Sequence, residues 1–172
     1  MRKPEHIIEI FLQPGELYFG DRYTRIRTLL GSCVSIVMWH REALIGGMCH
    51  YMLPTRKQHD GDPHQPDGRY ADEALYMLLN EIKESGTKAR EYRISLFGGG
   101  NMFGRPVRYE IGQQNIEAGL ALLTAHRLPC HATHVGGEGH RNLIFDIWSG
   151  HIALRHVNPV QTPGRRNEAS LS

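Results

Sequence analysis

The sequence has few cysteines and no long hydrophobic segment. Of its 172 residues only three are cysteines, at positions 33, 49 and 130, and so sparse and odd a set does not form a disulfide framework. No apolar run approaches the roughly 20 residues that cross a bilayer. The segment from Ile7 to Leu12 is too short for a signal sequence and contains Glu9. These features predict a cytoplasmic protein with reduced thiols and no membrane insertion.

The chain also lacks a strong charge of either sign. Lysine and arginine number 20 and aspartate and glutamate number 18, so the formal net charge is +2. This balance provides no broad basic surface, and we expect no nucleic-acid partner. Residues 1–157 are expected to form one domain, because 40% hydrophobic residues suit a globular core. The Pro-, Gly- and Arg-containing segment 158–172 is expected to be a mobile C-terminal tail.

Hydrophobic periodicity predicts eight or so strands and two long helices. The strands are expected near residues 7–12, 17–19, 25–30, 33–39, 43–52, 92–97, 130–135, 143–148 and 151–157. Apolar residues at three- and four-residue steps predict one helix from about Asp67 to Gly86 and another over about 113–126, with Ile116, Leu120 and Leu123 on one face. Because the strands come in runs and hairpins, the fold class is α+β, a single-domain sandwich with mostly antiparallel strands.

Two neighbouring predicted strands carry a cysteine and a histidine. If residues 33–39 and 45–50 form a hairpin centred on Arg41 and Glu42, Cys33 lies opposite His50 on the same face. Directly opposed Cβ atoms are about 4.5–5.5 Å apart, so a thiol there can reach an imidazole. The turn has no Asn-Gly pair, which leaves a longer loop and a shifted register open.

Such a pair suits acyl transfer through a thiolate nucleophile. A neighbouring imidazole stabilises the thiolate, and Thr28 on the preceding strand carries a hydroxyl that can orient the imidazole. The bend at Gly31 and Ser32 leaves main-chain N–H groups near Cys33 available for a developing oxyanion. The structural alternative is that the pair only packs in the core, since free cysteine is among the most buried residue types.

The eleven histidines and the glycine-rich segments form no metal or phosphate motif. His131 and His134 fall on opposite faces of a predicted strand, and neither HExxH nor CxxC occurs. The glycines at 98–100 are not followed by Lys-Ser/Thr, which favours a turn or a groove wall. We therefore expect no cofactor and no metal, and we expect Cys49 and Cys130 to be structural.

Short motifs along most of the chain resemble the CheD family of chemoreceptor glutamine deamidases. They are LGSCVSI at 30–36, GGMCHYMLP at 46–54, GRYAD at 68–72, FGGGNMF at 97–103, IGQQNI at 111–116 and GGEGHR at 136–141. No single motif is specific to the family, but the occurrence of all of them in this order over roughly Leu30 to Arg155 is specific.

The resemblance implies an activity, a fold and site residues. The activity is hydrolysis of glutamine side chains to glutamate on methyl-accepting chemotaxis receptors, through a Cys-His thioester mechanism. The family's nucleophile falls on Cys33 and its histidine on His50. Its upstream threonine would align without a gap on Arg27, so the neighbouring Thr28 is assigned instead. The implied fold is an α/β sandwich similar to toxin-type deamidases.

The resemblance also implies partners. The protein substrate would be the cytoplasmic helices of a chemoreceptor, and some relatives also bind a CheC-type phosphatase. Three functions stay open: a protein-glutamine deamidase, a non-catalytic regulator of such a phosphatase, and a different Cys-His acyl hydrolase or transferase. The long polar segment 54–68 follows His50 and either helps to grip a receptor helix or is a disordered connection.

Overall fold

The computed structural model describes residues 1–102 and 110–158. The predicted tail, apart from Asn158, and Phe103 of the glycine-rich motif lie outside the described residues. No helix in the described ranges is long and apolar enough to cross a membrane.

The described part of the chain forms nine strands, two α-helices and one short 3₁₀ turn. The strands are β1 (Ile8–Leu12), β2 (Leu17–Gly20), β3 (Thr24–Leu30), β4 (Val34–His40), β5 (Ile45–Cys49), β6 (Arg93–Gly98), β7 (Ala132–Val135), β8 (His140–Asp146) and β9 (His151–Val157). The helices are α1 (Ala71–Glu84) and α2 (Ile111–Ala125), and the 3₁₀ turn spans Ala89–Glu91.

The strands form two sheets. One has four strands in the order β1-β3-β8-β9, and the other has five in the order β2-β5-β4-β6-β7. Among the pairs of named strands in the described residues, β1-β3 and β6-β7 are parallel and the other five are antiparallel. The predicted α+β class, a single-domain sandwich with mostly antiparallel strands, is confirmed.

The five-stranded sheet is the middle layer. One face of this sheet packs against both helices, and the other face packs against the four-stranded sheet. Alternation along β4 divides the two cores, because Ile36 and Met38 face the helices whereas Val37 faces the other sheet. The strand is apolar on both faces and is buried on both faces.

The buried stripe of α2 differs from the predicted one. Leu120 was expected to be buried but is 37% exposed, and Gly119 lies on the buried stripe instead. A Cβ at Gly119 would collide with the hydroxyl oxygen of Tyr51 and crowd Leu96. The glycine therefore allows the helix to approach the sheet closely. Hydrophobic periodicity does not predict this burial, because glycine has no apolar side chain.

The β4-β5 register differs from the predicted one by two residues. Val34 pairs with Tyr51 and Val37 with Met48, so Ser35 rather than Cys33 lies opposite His50. The connection spans the four residues 41–44 instead of a tight turn. Because the displacement is an even number of residues, Cys33 and His50 keep the same face and become diagonal neighbours.

The segment 54–68 contains a hydrogen-bond network centred on one arginine. Arg56 donates to the main-chain oxygens of Asp60, Asp62 and Gln65. It also forms a two-point ion pair with Glu73 of α1, with N–O distances of 2.8 and 2.7 Å. These contacts attach the segment to the first helix.

Candidate active site

A hydrogen bond between the two sheets joins Thr28 and His50. Thr28 lies on β3 and His50 directly follows β5, and the Thr28 Oγ1 to His50 Nδ1 distance is 2.7 Å. Both residues are only 2% exposed. The neighbouring Arg27, which the ungapped family match would select, is half-exposed and pairs with Glu9. Strand alternation therefore places Thr28, and not Arg27, beside the imidazole.

The contacts of Thr28 determine which nitrogen of His50 carries the proton. Its hydroxyl donates to the carbonyl oxygen of Leu12 at 2.9 Å, and a hydroxyl has a single proton to donate. The Thr28 oxygen must therefore accept a hydrogen bond from Nδ1–H of His50. Nε2 is then left with a lone pair, and this buried atom has no hydrogen-bond partner in the described part of the chain.

Burial keeps the His50 imidazole neutral near pH 7. Loss of solvation lowers its pKa to about 4, and the nearby Glu16 opposes this only in part. The main chain of His50 is held by the same N-terminal segment, since its N–H donates to the Glu16 oxygen and its own oxygen accepts from the Gly15 N–H. The site thus contains a rigid neutral imidazole with a free Nε2.

Cys33 lies just before β4, and its side chain is partly buried against the core between the sheets. Burial raises the pKa of its thiol above the usual range. As diagonal neighbours, the Cβ atoms of Cys33 and His50 are expected to be about 7 Å apart. The main-chain N–H of Cys33 donates to none of the described residues, whereas its oxygen accepts from Gly99.

The two predicted backbone-support residues contact the rest of the site through their carbonyls. Gly31 accepts a hydrogen bond from the Gly100 N–H at 2.8 Å. Ser32 accepts one from the side chain of Asn115, on α2, at 3.1 Å. The glycine-rich turn and α2 therefore both contact residues 31–33.

Asn115 was not among the predicted site residues. Its side chain is fully buried and donates to the carbonyls of Ser32 and Met52. The sequence feature that could have identified it is a polar residue next to Ile116, on the helix face that packs against the core. Asparagine is a poor helix former, so its place there calls for a side-chain partner.

The other two cysteines, and His131 and His134, make contacts outside this arrangement. Cys49 is fully buried in the core on the helix side, and Cys130 packs against the edge of the same core. His134 accepts a hydrogen bond from Arg141, and His131 accepts one from the Ile94 N–H. Within residues 1–102 and 110–158, no group of three or more potential ligand side chains is arranged to hold a metal ion.

Known proteins resemble most of this chain. A family model described as "CheD chemotactic sensory transduction" matches residues 52–156. A Pseudomonas fluorescens SBW25 protein named "Probable chemoreceptor glutamine deamidase CheD" is 48% identical over 161 residues, covering 91% of this chain and 89% of that protein. A protein of Dechloromonas aromatica RCB, "Probable chemoreceptor glutamine deamidase CheD 3", is 47% identical over 154 residues, covering 88% and 89%.

A third relative has a lower identity over a similar length. A Leptospira interrogans protein named "Probable chemoreceptor glutamine deamidase CheD 1" is 38% identical over 159 residues, covering 87% of this chain and 93% of its own. The family model begins after His50. The match to the Pseudomonas protein covers 91% of this chain, so it must include Thr28, Cys33 and His50. On the family model and these relatives together, the chain belongs to the CheD family.

Proposed function

We propose that this protein hydrolyses glutamine side-chain amides on chemotaxis receptors to glutamate and ammonia. The names of its relatives support the substrate and the reaction. The hydrogen bond from His50 Nδ1–H to Thr28 carries the chemical part of the proposal. It leaves Nε2 with a lone pair on the same inter-sheet face as the Cys33 thiol, although no hydrogen bond joins the two side chains in the described residues, and this lone pair can serve a cysteine nucleophile as its base.

In the proposed mechanism the thiol is activated as it attacks. Nε2 of His50 takes the Cys33 proton while sulfur bonds to the amide carbon of the glutamine. The main-chain N–H of Cys33 holds the oxygen that becomes negative. The C–N bond then breaks, His50 returns the proton to the leaving ammonia, and a water molecule activated by His50 cleaves the thioester to glutamate.

The pKa directions favour a neutral resting pair over a preformed thiolate–imidazolium pair. Burial raises the pKa of Cys33 and lowers that of His50, so proton transfer is unfavourable before substrate binds. Transfer becomes favourable when the oxyanion forms and is stabilised by hydrogen bonds. A thiol that is neutral at rest also reacts slowly with adventitious electrophiles.

The receptor's cytoplasmic helices are the proposed substrate, and the cytoplasm is the proposed location. A purely non-catalytic regulator is not favoured, because it would give no role to the buried Thr28–His50 bond. Binding of a CheC-type phosphatase stays a prediction, and so does the assignment of residues 1–157 as the deamidase domain.

The proposal is tested with a receptor cytoplasmic fragment and intact-mass analysis of Gln-to-Glu conversion. We expect the wild type and a Cys130→Ala control to convert glutamine and Cys33→Ala to be inactive. Continued conversion by Cys33→Ala would remove the thiol from the mechanism. Turnover of small amides or esters with no conversion of the receptor would instead favour a different acyl hydrolase.

A further inference from the structure

The Asn115 side chain joins the two segments that carry the candidate nucleophile and base. Its Nδ2 donates to the Ser32 oxygen at 3.1 Å and to the Met52 oxygen at 2.8 Å. Ser32 directly precedes Cys33, and Met52 follows His50 by two residues. The last backbone pair between these segments is Val34–Tyr51. Asn115 therefore continues the connection one step beyond the end of the strand ladder.

The orientation of the carboxamide follows from its partners. Both contacts are carbonyl oxygens, which only accept, so the NH₂ end must face them. The Oδ1 atom is buried and has no hydrogen-bond partner among the described residues. A buried acceptor without a partner costs free energy of folding, and the two hydrogen bonds that Nδ2 donates must offset this cost.

The bond to Ser32 fixes the direction of the Cys33 N–H. In a trans peptide the C=O of one residue and the N–H of the next point in opposite directions. When Asn115 holds the Ser32 oxygen, the Cys33 N–H must point away from α2. That N–H donates to none of the described residues.

We propose that Asn115 is a positioning residue that locks the Ser32–Cys33 peptide so that the Cys33 N–H faces the oxyanion. This inference rests on the proposed function, because it takes Cys33 as the nucleophile. Without the lock the peptide can rotate and turn its carbonyl toward the substrate oxygen, which would repel the developing charge. The bond from the Tyr51 hydroxyl to the main-chain oxygen of Asn115 anchors α2 independently of the carboxamide.

The test separates oxyanion stabilisation from thiol activation. Asn115→Ala and Asn115→Asp are compared with Asn80→Ala, which removes an exposed asparagine from α1. The alanine has no donor, and the aspartate keeps the volume but as a carboxylate has no proton to donate, and as a carboxylic acid has one where the amide has two. One assay follows kcat for receptor deamidation, and the other follows alkylation of the Cys33 thiol by iodoacetamide, which forms no oxyanion.

We expect both Asn115 variants to lose roughly 100-fold in kcat, the usual effect of losing one oxyanion donor. We expect KM and the Cys33 alkylation rate to stay within about twofold of the wild type, because thiol activation through His50 is untouched. The Asn80 control should match the wild type in both assays. An unchanged kcat, or an equal loss in both assays, would overturn the proposal, and so would unfolding of both variants.

A second measurement uses the wild-type chain labelled with ¹⁵N-cysteine. Butyraldehyde adds to the Cys33 thiol, so that sulfur bonds to carbon and the thiol proton passes to the aldehyde oxygen, which occupies the oxyanion position. We expect the Cys33 amide proton to move downfield while those of Cys49 and Cys130 stay in place; no movement would contradict the lock. Activity that survives Cys33→Ala would remove the thiol from the mechanism, and absence of receptor conversion by the wild type would refute the proposed function itself; both outcomes are separate from this one.

Discussion

Replacing His50 with glutamine should remove a large part of the acid sensitivity of the fold. The imidazole has a pKa of about 4 in the folded protein and an ordinary value of 6.5. Between these values the unfolded chain binds a proton that the native chain does not, so the free energy of unfolding falls as the pH falls. The difference corresponds to about 3 kcal/mol, present in full above pH 6.5 and lost by pH 4.

Urea unfolding of the wild type and His50→Gln at pH 7, 5.5 and 4.5 measures this contribution. The glutamine does not titrate, so the free energy of unfolding should fall less in the variant than in the wild type, with a difference of about 2–3 kcal/mol at the lowest pH. His59→Gln, in the exposed polar segment, is the control and should follow the wild type. Equal losses in the wild type and the His50 variant would refute the conclusion that burial holds this imidazole neutral.

Two further predictions concern the Cys33 thiol and the Thr28 hydroxyl that contacts His50. The alkylation rate of Cys33 should be low at pH 7 and rise with pH past 9, because burial raises the pKa of the thiol; a plateau already reached at pH 6 would indicate a preformed thiolate. Thr28→Val should lower kcat for receptor deamidation by roughly 10- to 100-fold, since it removes the acceptor of Nδ1–H, whereas Thr28→Ser should retain most activity. Equal kcat values for the two Thr28 variants would show that the hydroxyl does not orient the base.

The layered fold could be predicted because β-strand periodicity is a local property. Ile26, Thr28 and Leu30 alternate with polar or exposed positions, and all three are buried in the structure. The same alternation distinguishes Thr28 from Arg27 without any coordinates. The sequence therefore predicts which side chains of a strand are buried wherever the strand is long enough to show its two-residue period.

The register between β4 and β5 could not be predicted in the same way. Their connection has four residues, and Leu44 within it has a φ of 52°. A leucine rarely adopts this left-handed conformation, and no glycine or asparagine marks the position. The chain tolerates it because Leu44 is 7% exposed and its side chain is buried. Packing, rather than turn chemistry, determines the loop and hence the register.

The long-range contacts of the site were also outside the reach of sequence patterns. Asn115 is 83 positions from Ser32, and the two meet only because α2 packs on the middle sheet. The helix comes close enough because Gly112 lies against Gly99, where a Cβ would meet the main-chain oxygen. The glycine motif predicts a turn, but not which helix closes over it.

An edge strand that precedes the family-model match in the sequence determines which nitrogen of His50 keeps a lone pair. Leu12, at the end of β1, is the parallel partner of Thr28, and its main-chain oxygen accepts the hydrogen bond that the Thr28 hydroxyl donates. If β1 separated from β3, the Thr28 hydroxyl would be free to donate to Nδ1, and the proton of the neutral imidazole would move to Nε2. Nε2–H cannot accept the Cys33 proton, so the base would be lost although Cys33, His50 and Thr28 remained in place. The pairing of an edge strand is therefore a condition for the proposed chemistry, and not only for the stability of the fold.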